Sequence, residues 1–462
     1  MNKKSENGNK KYCFLFLLAI IISILFTGCS LLDNKTPSEN EVINNEGHSV
    51  SSTQSVSDTA ESVPVIISTS EAETDTIINQ SETINTEPAP VSYRIELWIP
   101  PQFDTEKDTP AGKALASVIS DYMQEHENVE IALRVKALTG DSNMVNTIIA
   151  ADHVAKDVLP SLALMSRNDM ELSVQRGMLN PINTSVFSDS GTWYDYSRQS
   201  ALVENTVYGI PVAGDGWVLT YRGSKLGTAL GDWQDILSRG MPIGFAPSSS
   251  TSVLGTYIYL TLGGKLTNEQ GLPSLDQQKL IETLNFFQTG SQNGAFPASL
   301  SQIVDQSQVW QRFNDGAASM IISSFSNYRR FNSQEISVHP LPNLSGSKEY
   351  PLINTWNLVM FETNPILQVE ALKFAEYLCD SVVNEKFTAS SGYLPVRKNG
   401  HEAWMEDPDH DLVLMMSENG LLITNNIIAG KVVPIINNAV LQVIKNQALP
   451  EDAAKEAVAG LN

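Results

Sequence analysis

Three cysteines supply the only thiols of this 462-residue chain: Cys13, Cys29 and Cys379. Cys379 falls in an amphipathic helical pattern, so we expect a buried, unreactive thiol there. A disulfide within the body of the chain is excluded, because Cys13 and Cys29 both lie close to the N-terminus. Cys29 is the thiol whose surroundings predict chemistry, since it directly follows the small residues Thr27 and Gly28.

The segment before Cys29 has the order of a secretion signal. Four lysines precede an apolar run over residues 12–26, and the small residues follow that run. A cysteine at this point is typical of the site where a bacterial lipoprotein is cleaved and acylated, although Phe26 stands where Leu is usual. We predict a signal peptide over residues 1–28 and a lipid, such as palmitate, on Cys29. An uncleaved anchor helix is the alternative, but the run is short for a membrane span.

Motifs of catalysis are missing from the sequence. It has no G-x-S-x-G, no H-E-x-x-H, no P-loop and no Cys-x-x-Cys pair, so we predict a protein that is not an enzyme and has no cofactor. Residues 407–411, Asp-Pro-Asp-His-Asp, have the composition of a metal site. The apolar residues 412–414 that follow favour a turn that caps a helix instead, and we expect no bound metal.

Charge and composition restrict the class of partner. The formal net charge of −22 argues against nucleic acid, because no basic surface would neutralise its phosphates. An apolar content of 42% is ordinary for a soluble globular protein, and the length is sufficient for two core-forming lobes.

Residues 29–92 differ from the rest of the chain. From residue 31 to residue 92, eleven acidic residues stand against Lys35 alone, among Ser, Thr and Asn and without a sustained hydrophobic period. This composition predicts a disordered stalk after the acylated cysteine, extended by repulsion between its like charges. With the lipid, it would hold the body at the outer face of the cytoplasmic membrane.

The body begins at Tyr93, where a hydrophobic alternation predicts a strand. A helical pattern follows, with Thr109 as N-cap and Pro110 at its first position, and residues 129–135 alternate again. This order of strand, helix and strand predicts a right-handed parallel unit and an α/β fold. Near the other end, Asn364 and Pro365 open a second predicted helix.

A series of landmarks follows from Tyr93 onwards, at residues 95–100, 159–169, 176–182, 208–211 with 217–222, 310–323, and 371–378 with 392–397. This series resembles the extracellular solute-binding proteins of ABC importers, in the sugar-binding class that includes maltose-binding protein. The landmarks occur in the order of that family and cover about four fifths of the chain. Ser161 departs from the pattern, since an Asp is common at its position.

The resemblance implies two discontinuous α/β lobes of the type II periplasmic-binding-protein class, with a hinge and an interlobe cleft. Lobe 1 would comprise about 93–213 and 342–392, and lobe 2 about 214–341 and 393–462. Such a protein is a monomer that captures a carbohydrate ligand and delivers it to the transmembrane subunits of an ABC permease. Another polar solute, such as a glycerophosphodiester or a peptide, is the alternative within this class. A surface enzyme or adhesin that reuses the fold is the alternative outside it.

Sugar sites need flat aromatic rings for the apolar faces of the pyranose. Trp98, Trp217, Phe325 and Trp356 fall at or near the strand ends that the resemblance places at the cleft, where ligands of such sheets bind. Each could instead belong to the hydrophobic core.

Sugar hydroxyls need polar partners, and three positions supply candidates. Asp215 lies between Gly214 and Gly216 at the proposed crossover, in what could also be a plain turn. Arg167, Asn168 and Asp169 follow the second strand-loop of the family, where they could contact ligand or cap a helix. Tyr393, at a corner before Pro395, is the last candidate.

Overall fold

The structure is a computed structural model that describes residues 92–154, 158–226, 230–249, 252–331, 333, 335–344, 351–399, 402–423 and 426–461. Within these ranges, no helix is both long enough and apolar enough to cross a bilayer. The predicted signal peptide, Cys29 and the predicted stalk lie outside the described residues.

Ten strands are described, and eight of them form one mixed sheet. Their bounds are β1 Tyr93–Ile99, β2 Val129–Val135, β3 Leu162–Ser166, β4 Leu202–Val203, β5 Thr206–Val207, β6 Gly209–Arg222, β7 Ile243–Gly244, β8 Met320–Ser324, β9 Ile336–Pro340 and β10 Ile353–Met360. The order in the large sheet is β2-β1-β3-β10-β6-β8-β7, with β9 also paired to β6, while β4 and β5 form a separate hairpin.

Fifteen α-helices are described in the same ranges. They are α1 Pro110–Glu125, α2 Met144–Val154, α3 Arg167–Gln175, α4 Asp195–Ser200, α5 Gly223–Leu226, α6 Trp233–Ser238, α7 Leu254–Thr261, α8 Gln277–Gln292, α9 Gln306–Asn314, α10 Phe325–Arg330, α11 Pro365–Leu378, α12 Ser381–Ser391, α13 His410–Asn419, α14 Asn426–Ile444 and α15 Pro450–Ala459. Short 3-10 turns occur at Pro101–Phe103, Ser190–Thr192, Ala298–Gln302 and Glu402–Trp404.

The local predictions at both ends of the body are confirmed. β1 and β2 pair in parallel from Tyr93 opposite Val129 onwards, with α1 between them in sequence. Thr109 caps α1 by accepting a hydrogen bond from the Gly112 N–H at 3.1 Å. Asn364 caps α11 in the same way, so both helix starts follow from side chains that satisfy free backbone N–H groups.

Strand β6 divides the sheet into two halves. Its residues 209–216 pair with β10, and residues 217–222 pair with β8 and β9. The first half contains β1, β2, β3 and β10, and the second contains β7, β8 and β9. β6 therefore passes from one half to the other without a break.

Strand directions place the two halves edge to edge at their carboxyl ends. β1, β2 and β3 are parallel, and β10 runs opposite to both β3 and β6, so β6 runs in the same direction as β1–β3. In the second half β8 and β9 run opposite to β6, and β7 is parallel to β8. The carboxyl ends of β1–β3 in the first half and of β7–β9 in the second half thus point towards the other half, whereas β10 runs the opposite way. Ligands of such sheets bind at the carboxyl ends of the strands.

Each half has its own hydrophobic core. In the first half, α1, α11 and α12 cover one face of the sheet, and the core there includes Cys379, which is fully buried. A smaller core around Trp98 covers the opposite face. In the second half, α6–α9, α14 and α15 enclose the largest core. A further cluster lies where the chain passes between the halves, and it contains Val218, Leu394 and Trp404.

Cys379 has the unreactive environment expected of it. Burial raises the pKa of its thiol to about 12, so the thiolate is not populated at neutral pH. The prediction of a buried, inert cysteine is confirmed.

Candidate functional site

Asp215 lies on β6 at the junction of the two halves. Its carboxylate accepts two hydrogen bonds from Ser326, one from the backbone N–H at 3.0 Å and one from the hydroxyl at 2.6 Å. Ser326 belongs to α10, directly after β8, so Asp215 ties the junction strand to the cleft edge of the second half. Burial raises the pKa of the Asp215 carboxyl to about 6, against the hydrogen bonds from Ser326, which lower it.

The alternative that Gly214, Asp215 and Gly216 form a plain turn is wrong. All three lie inside the fourteen-residue strand β6, with Gly214 opposite Thr355 and Gly216 opposite Ile353 of β10. The two glycines instead allow the side chains of other segments to pack closely against the backbone of β6. A Cβ atom at Gly214 would lie 2.6 Å from the hydroxyl oxygen of Tyr196.

Tyr393 lies at another passage between the halves. Its neighbour Leu394 exchanges two backbone hydrogen bonds with Gly214, at 2.7 and 2.9 Å, which fixes this corner against β6. The Tyr393 ring stacks on Phe103 at 5.1 Å between centroids, and only 4% of the residue is exposed. Burial, and then the nearby charge of Asp215, raise the pKa of its hydroxyl.

Trp356 joins this aromatic group from β10. Its ring meets Phe103 edge-on, with centroids 5.6 Å apart, and the residue is 6% exposed. It stands opposite Ser166 of β3 and Ala213 of β6, close to the carboxyl edge of the first half. The indole N–H has no hydrogen-bond partner among the described residues, so this buried donor is unsatisfied.

A small cavity of about 40 Å³ lies between the two halves. The first half lines it with Gln102, Thr109, Pro110, Ala111, Ser391 and Tyr393, and the second with Ser326, Asn327 and Arg330. It has room for a few water molecules and not for a sugar ring. A larger groove of about 430 Å³ is lined only by residues of α1, α11 and α12, all in the first half, away from the junction.

The three polar residues predicted after β3 differ in their contacts and exposure. Arg167 is buried and pairs with Glu171 at 3.0 Å, and it also donates to the Leu202 carbonyl at 2.8 Å. The Asp169 carboxylate accepts from the Ser166 hydroxyl at 2.9 Å, while burial raises the pKa of that carboxyl. Asn168 is the exposed member of the three. Helix α3, which carries them, contacts α14 of the second half.

The remaining aromatic candidates are dispersed. Trp98 is 2% exposed in the smaller core, with the Lys136 ammonium 4.0 Å from its ring centroid. Phe325 is fully buried in the cluster at the junction. Trp217 is half-buried at the rim of the second half's core, opposite Ser324 of β8. Of these three, Trp217 is the one with an exposed surface at the junction.

The acidic residues at 407–411 include two that form ion pairs. The Arg329 guanidinium contacts the Asp407 carboxylate at 2.7 Å and the Asp409 carboxylate at 2.9 Å. Helix α13 begins at His410, as predicted, but the Asp409 side chain makes no capping hydrogen bond. In the described part of the chain, no group of three or more His, Cys, Asp or Glu residues could hold a metal ion.

The structure adds cavity residues that sequence reasoning missed, chiefly Ser326, Arg330 and Gln102. The available signal was position, because Gln102 follows the first strand, and Ser326 and Arg330 follow the apolar strand at residues 320–324. The sequence alone favours only Phe325 in that second segment, because its aromatic ring could stack on a sugar.

A comparison with models of protein families decides the family of this chain. Residues 117–410 match the model of the bacterial extracellular solute-binding proteins. The chain belongs to this family. The family and its fold are those of proteins that bind a solute and are not enzymes. A comparison of this solute-binding protein with curated proteins finds no match.

Solved structures show that the fold is of the type II periplasmic-binding-protein class. A maltose-bound MalE3 of T. maritima has a TM-score of 0.65 at 15% identity, over 80% of this chain and 98% of that one. A solute-binding protein of an ABC transporter from Thermotoga lettingae, bound to α-D-tagatose, has a TM-score of 0.64 at 18% identity, over 80% and 99%. The GacH receptor of Streptomyces glaucescens has 0.63 at 15% identity, over 80% and 97%.

Proposed function

We propose that this protein is the lipid-anchored substrate-binding component of an ABC importer and that its solute is a sugar or oligosaccharide. The observation that carries the proposal is the arrangement of β6, which brings the carboxyl ends of β1–β3 and of β7–β9 towards each other. Proteins of similar fold bind maltose, tagatose and acarbose, which supports a saccharide as the class of solute.

The proposed lobes follow the two halves of the sheet. Lobe 1 comprises about 93–213 and 342–392, and lobe 2 about 214–341 and 393–462. The cavity between them is too small for a sugar ring, so the solute enters when the lobes part and is enclosed when they close. Because the solute contacts both lobes only in the closed state, it binds that state better and shifts the population towards it.

Four described side chains are proposed to hold the solute. Trp217 supplies an exposed aromatic surface on lobe 2, and Asn168 supplies an exposed amide on lobe 1. Tyr393 and Asp215 lie beside the cavity, where the Asp215 carboxylate accepts a hydrogen bond from Ser326 of the same lobe. Parting of the lobes would expose this group to sugar hydroxyls.

The lipid and the permease complete the proposal. A diacyl group on Cys29 and an extended acidic stalk would hold the binding domain at the outer face of the cytoplasmic membrane. The closed, solute-bound form would then be the form that the transmembrane subunits recognise.

A thermal-shift screen against a carbohydrate panel tests the class of solute. The panel includes maltose, tagatose and acarbose, with glycerophosphodiesters and peptides as the competing classes. A ligand at a hundred times its dissociation constant stabilises the folded state by about 2.7 kcal/mol. Stabilisation by a peptide or a glycerophosphodiester, and by no saccharide, would contradict the proposal.

A further inference from the structure

We infer that the solute carries an anionic group and that the interlobe cavity beside Arg330 receives it. This inference rests on the proposed function and specifies the charge of the solute.

Arg330 has no anionic partner in the described part of the protein. It makes no hydrogen bond or ion pair there, and its guanidinium carbon lies 5.1 Å from the ring centroid of the adjacent Phe331. The preceding Arg329, by contrast, is held by Asp407 and Asp409. In a chain with 52 acidic against 30 basic residues, a cation at the cleft with no carboxylate beside it is available to a ligand.

The walls of the cavity favour an anion. Nine residues line it, and Arg330 is the only charged one. Gln102 and Asn327 supply side-chain amides and Thr109 supplies a hydroxyl that can donate hydrogen bonds, whereas the hydroxyls of Ser326 and Ser391 already donate to Asp215 and to the Thr388 carbonyl.

A carboxylate close to the cavity wall is that of Asp215. Burial, and then the charge of this carboxylate, raise the pKa of Tyr393. Asp215 does not line the cavity, and its two oxygens accept the N–H and the hydroxyl of Ser326. A bound anion would therefore meet donors and a guanidinium first.

The size and position of the cavity suit one charged group and not a whole solute. A carboxylate, sulfate or phosphate group has the planar or tetrahedral oxygens that a guanidinium binds with two parallel hydrogen bonds. Arg330 belongs to lobe 2, whereas Gln102 and Ser391 belong to lobe 1. An anion between them would bridge the lobes and favour the closed state.

Matched sugars test the inference on the full chain by calorimetric titration. The sets are glucose, glucuronate and glucose 6-phosphate, and galactose, galacturonate and galactose 6-phosphate. We expect at least one acidic member to bind ten or more times tighter than its neutral twin. Uronates and sugar phosphates distinguish a carboxylate from a phosphate as the recognised group.

Two variants locate the effect. Arg330→Gln should abolish the tenfold preference for the acidic sugar. Arg176→Gln is the control, because this exposed residue follows the C-terminal end of α3 and its replacement removes the same charge. It should keep the preference unchanged.

The outcomes separate the two proposals. Equal binding of neutral and acidic twins, or an Arg330→Gln variant that keeps the preference, overturns the inference and leaves the proposed function standing. If no saccharide binds, the proposed function fails, and titration with inorganic sulfate and phosphate decides the inference. Binding of sulfate or phosphate that is lost in Arg330→Gln and kept in Arg176→Gln would support the inference. Equal binding of these anions by both variants, or no binding by the wild type, would overturn the inference.

Discussion

Asp215 combines a carboxyl group with an environment that opposes its charge. Burial raises its pKa to about 6 in the folded protein, above the usual value of about 3.9. The folded state therefore holds the proton more tightly than the unfolded state. The stabilisation from this group is fully present below pH about 4 and is lost as the pH rises through about 6.

Asp215→Asn tests this linkage, because the amide does not titrate. The stability of the wild type relative to the variant should fall between pH 4 and pH 7 by on the order of 1–3 kcal/mol. Urea unfolding at several pH values measures the difference. Ser326→Ala should move the transition to higher pH, since it removes a hydrogen bond that favours the carboxylate. A difference that does not vary with pH would contradict the assignment.

Trp217 and Trp356 are expected to respond differently to truncation. Trp356 is 6% exposed and packs on Phe103, so Trp356→Ala should lower the free energy of unfolding by about 3–5 kcal/mol. Trp217 is half-buried at the junction, so Trp217→Ala should weaken solute binding by roughly 2 kcal/mol or more while the fold persists.

Calorimetric titration with the ligand from the screen, paired with an unfolding curve for each variant, separates the two tryptophans. Unchanged affinity of Trp217→Ala with a collapsed melting temperature would end the stacking hypothesis for that residue.

At the scale of elements, β6 is the structural link between the lobes. The strand continues through Gly214, Asp215 and Gly216, which pair with β10, and Gly214 also exchanges backbone hydrogen bonds with Leu394. The buried amide of Asn384 on α12 donates to the Val212 carbonyl at 2.7 Å and accepts from the Val396 N–H at 3.3 Å. Asn384 thereby fixes β6 and the segment around Val396, two passages of the chain between the halves, to each other.

The two glycines of β6 should tolerate alanine unequally. A Cβ at Gly214 would lie 2.6–2.9 Å from the Tyr196 ring and hydroxyl. Tyr196 is almost fully buried, and its hydroxyl donates a hydrogen bond to the Pro395 carbonyl. A Cβ at Gly216 would meet the flexible Met416 side chain at 2.8 Å.

Gly214→Ala should therefore cost about 2–3 kcal/mol of stability, and Gly216→Ala about 1 kcal/mol or less. Urea unfolding of the two variants makes the comparison. Equal stability of the two would show that Tyr196 can move aside.

For the whole molecule, the proposal is that a lipid on Cys29 holds the binding domain at the membrane. The proposed opening and closing of the lobes needs freedom of movement, and the acidic composition of residues 29–92 is suited to an extended tether.

Cys29→Ala tests the anchor in cells that process lipoproteins. Because thioether acylation needs the Cys29 sulfur, the variant should not incorporate labelled palmitate and should appear uncleaved or secreted. Cys379→Ala is the matched control and should keep the label. Label retained in Cys29→Ala would refute the lipoprotein assignment.

Local signals determined several parts of this protein from sequence alone. The start of the body at Tyr93, the parallel unit of β1 and β2, and the caps of α1 and α11 depend on neighbouring residues. Hydrophobic period and side-chain capping are properties of short segments, so they can be read without the fold. The order of the family landmarks, together with these segments, was sufficient for the α/β class.

Only the tertiary structure decided how the site is assembled. The hydrogen bonds from Ser326 to Asp215 span 111 positions. They exist because β6 pairs with β8 beyond the point where it leaves β10. Gly-Asp-Gly has the composition of a turn, and the pairing with β10 makes it a strand. Arg330 became a candidate once the lobes placed it opposite Gln102, because a contact between distant segments depends on strand order, which a local pattern does not contain.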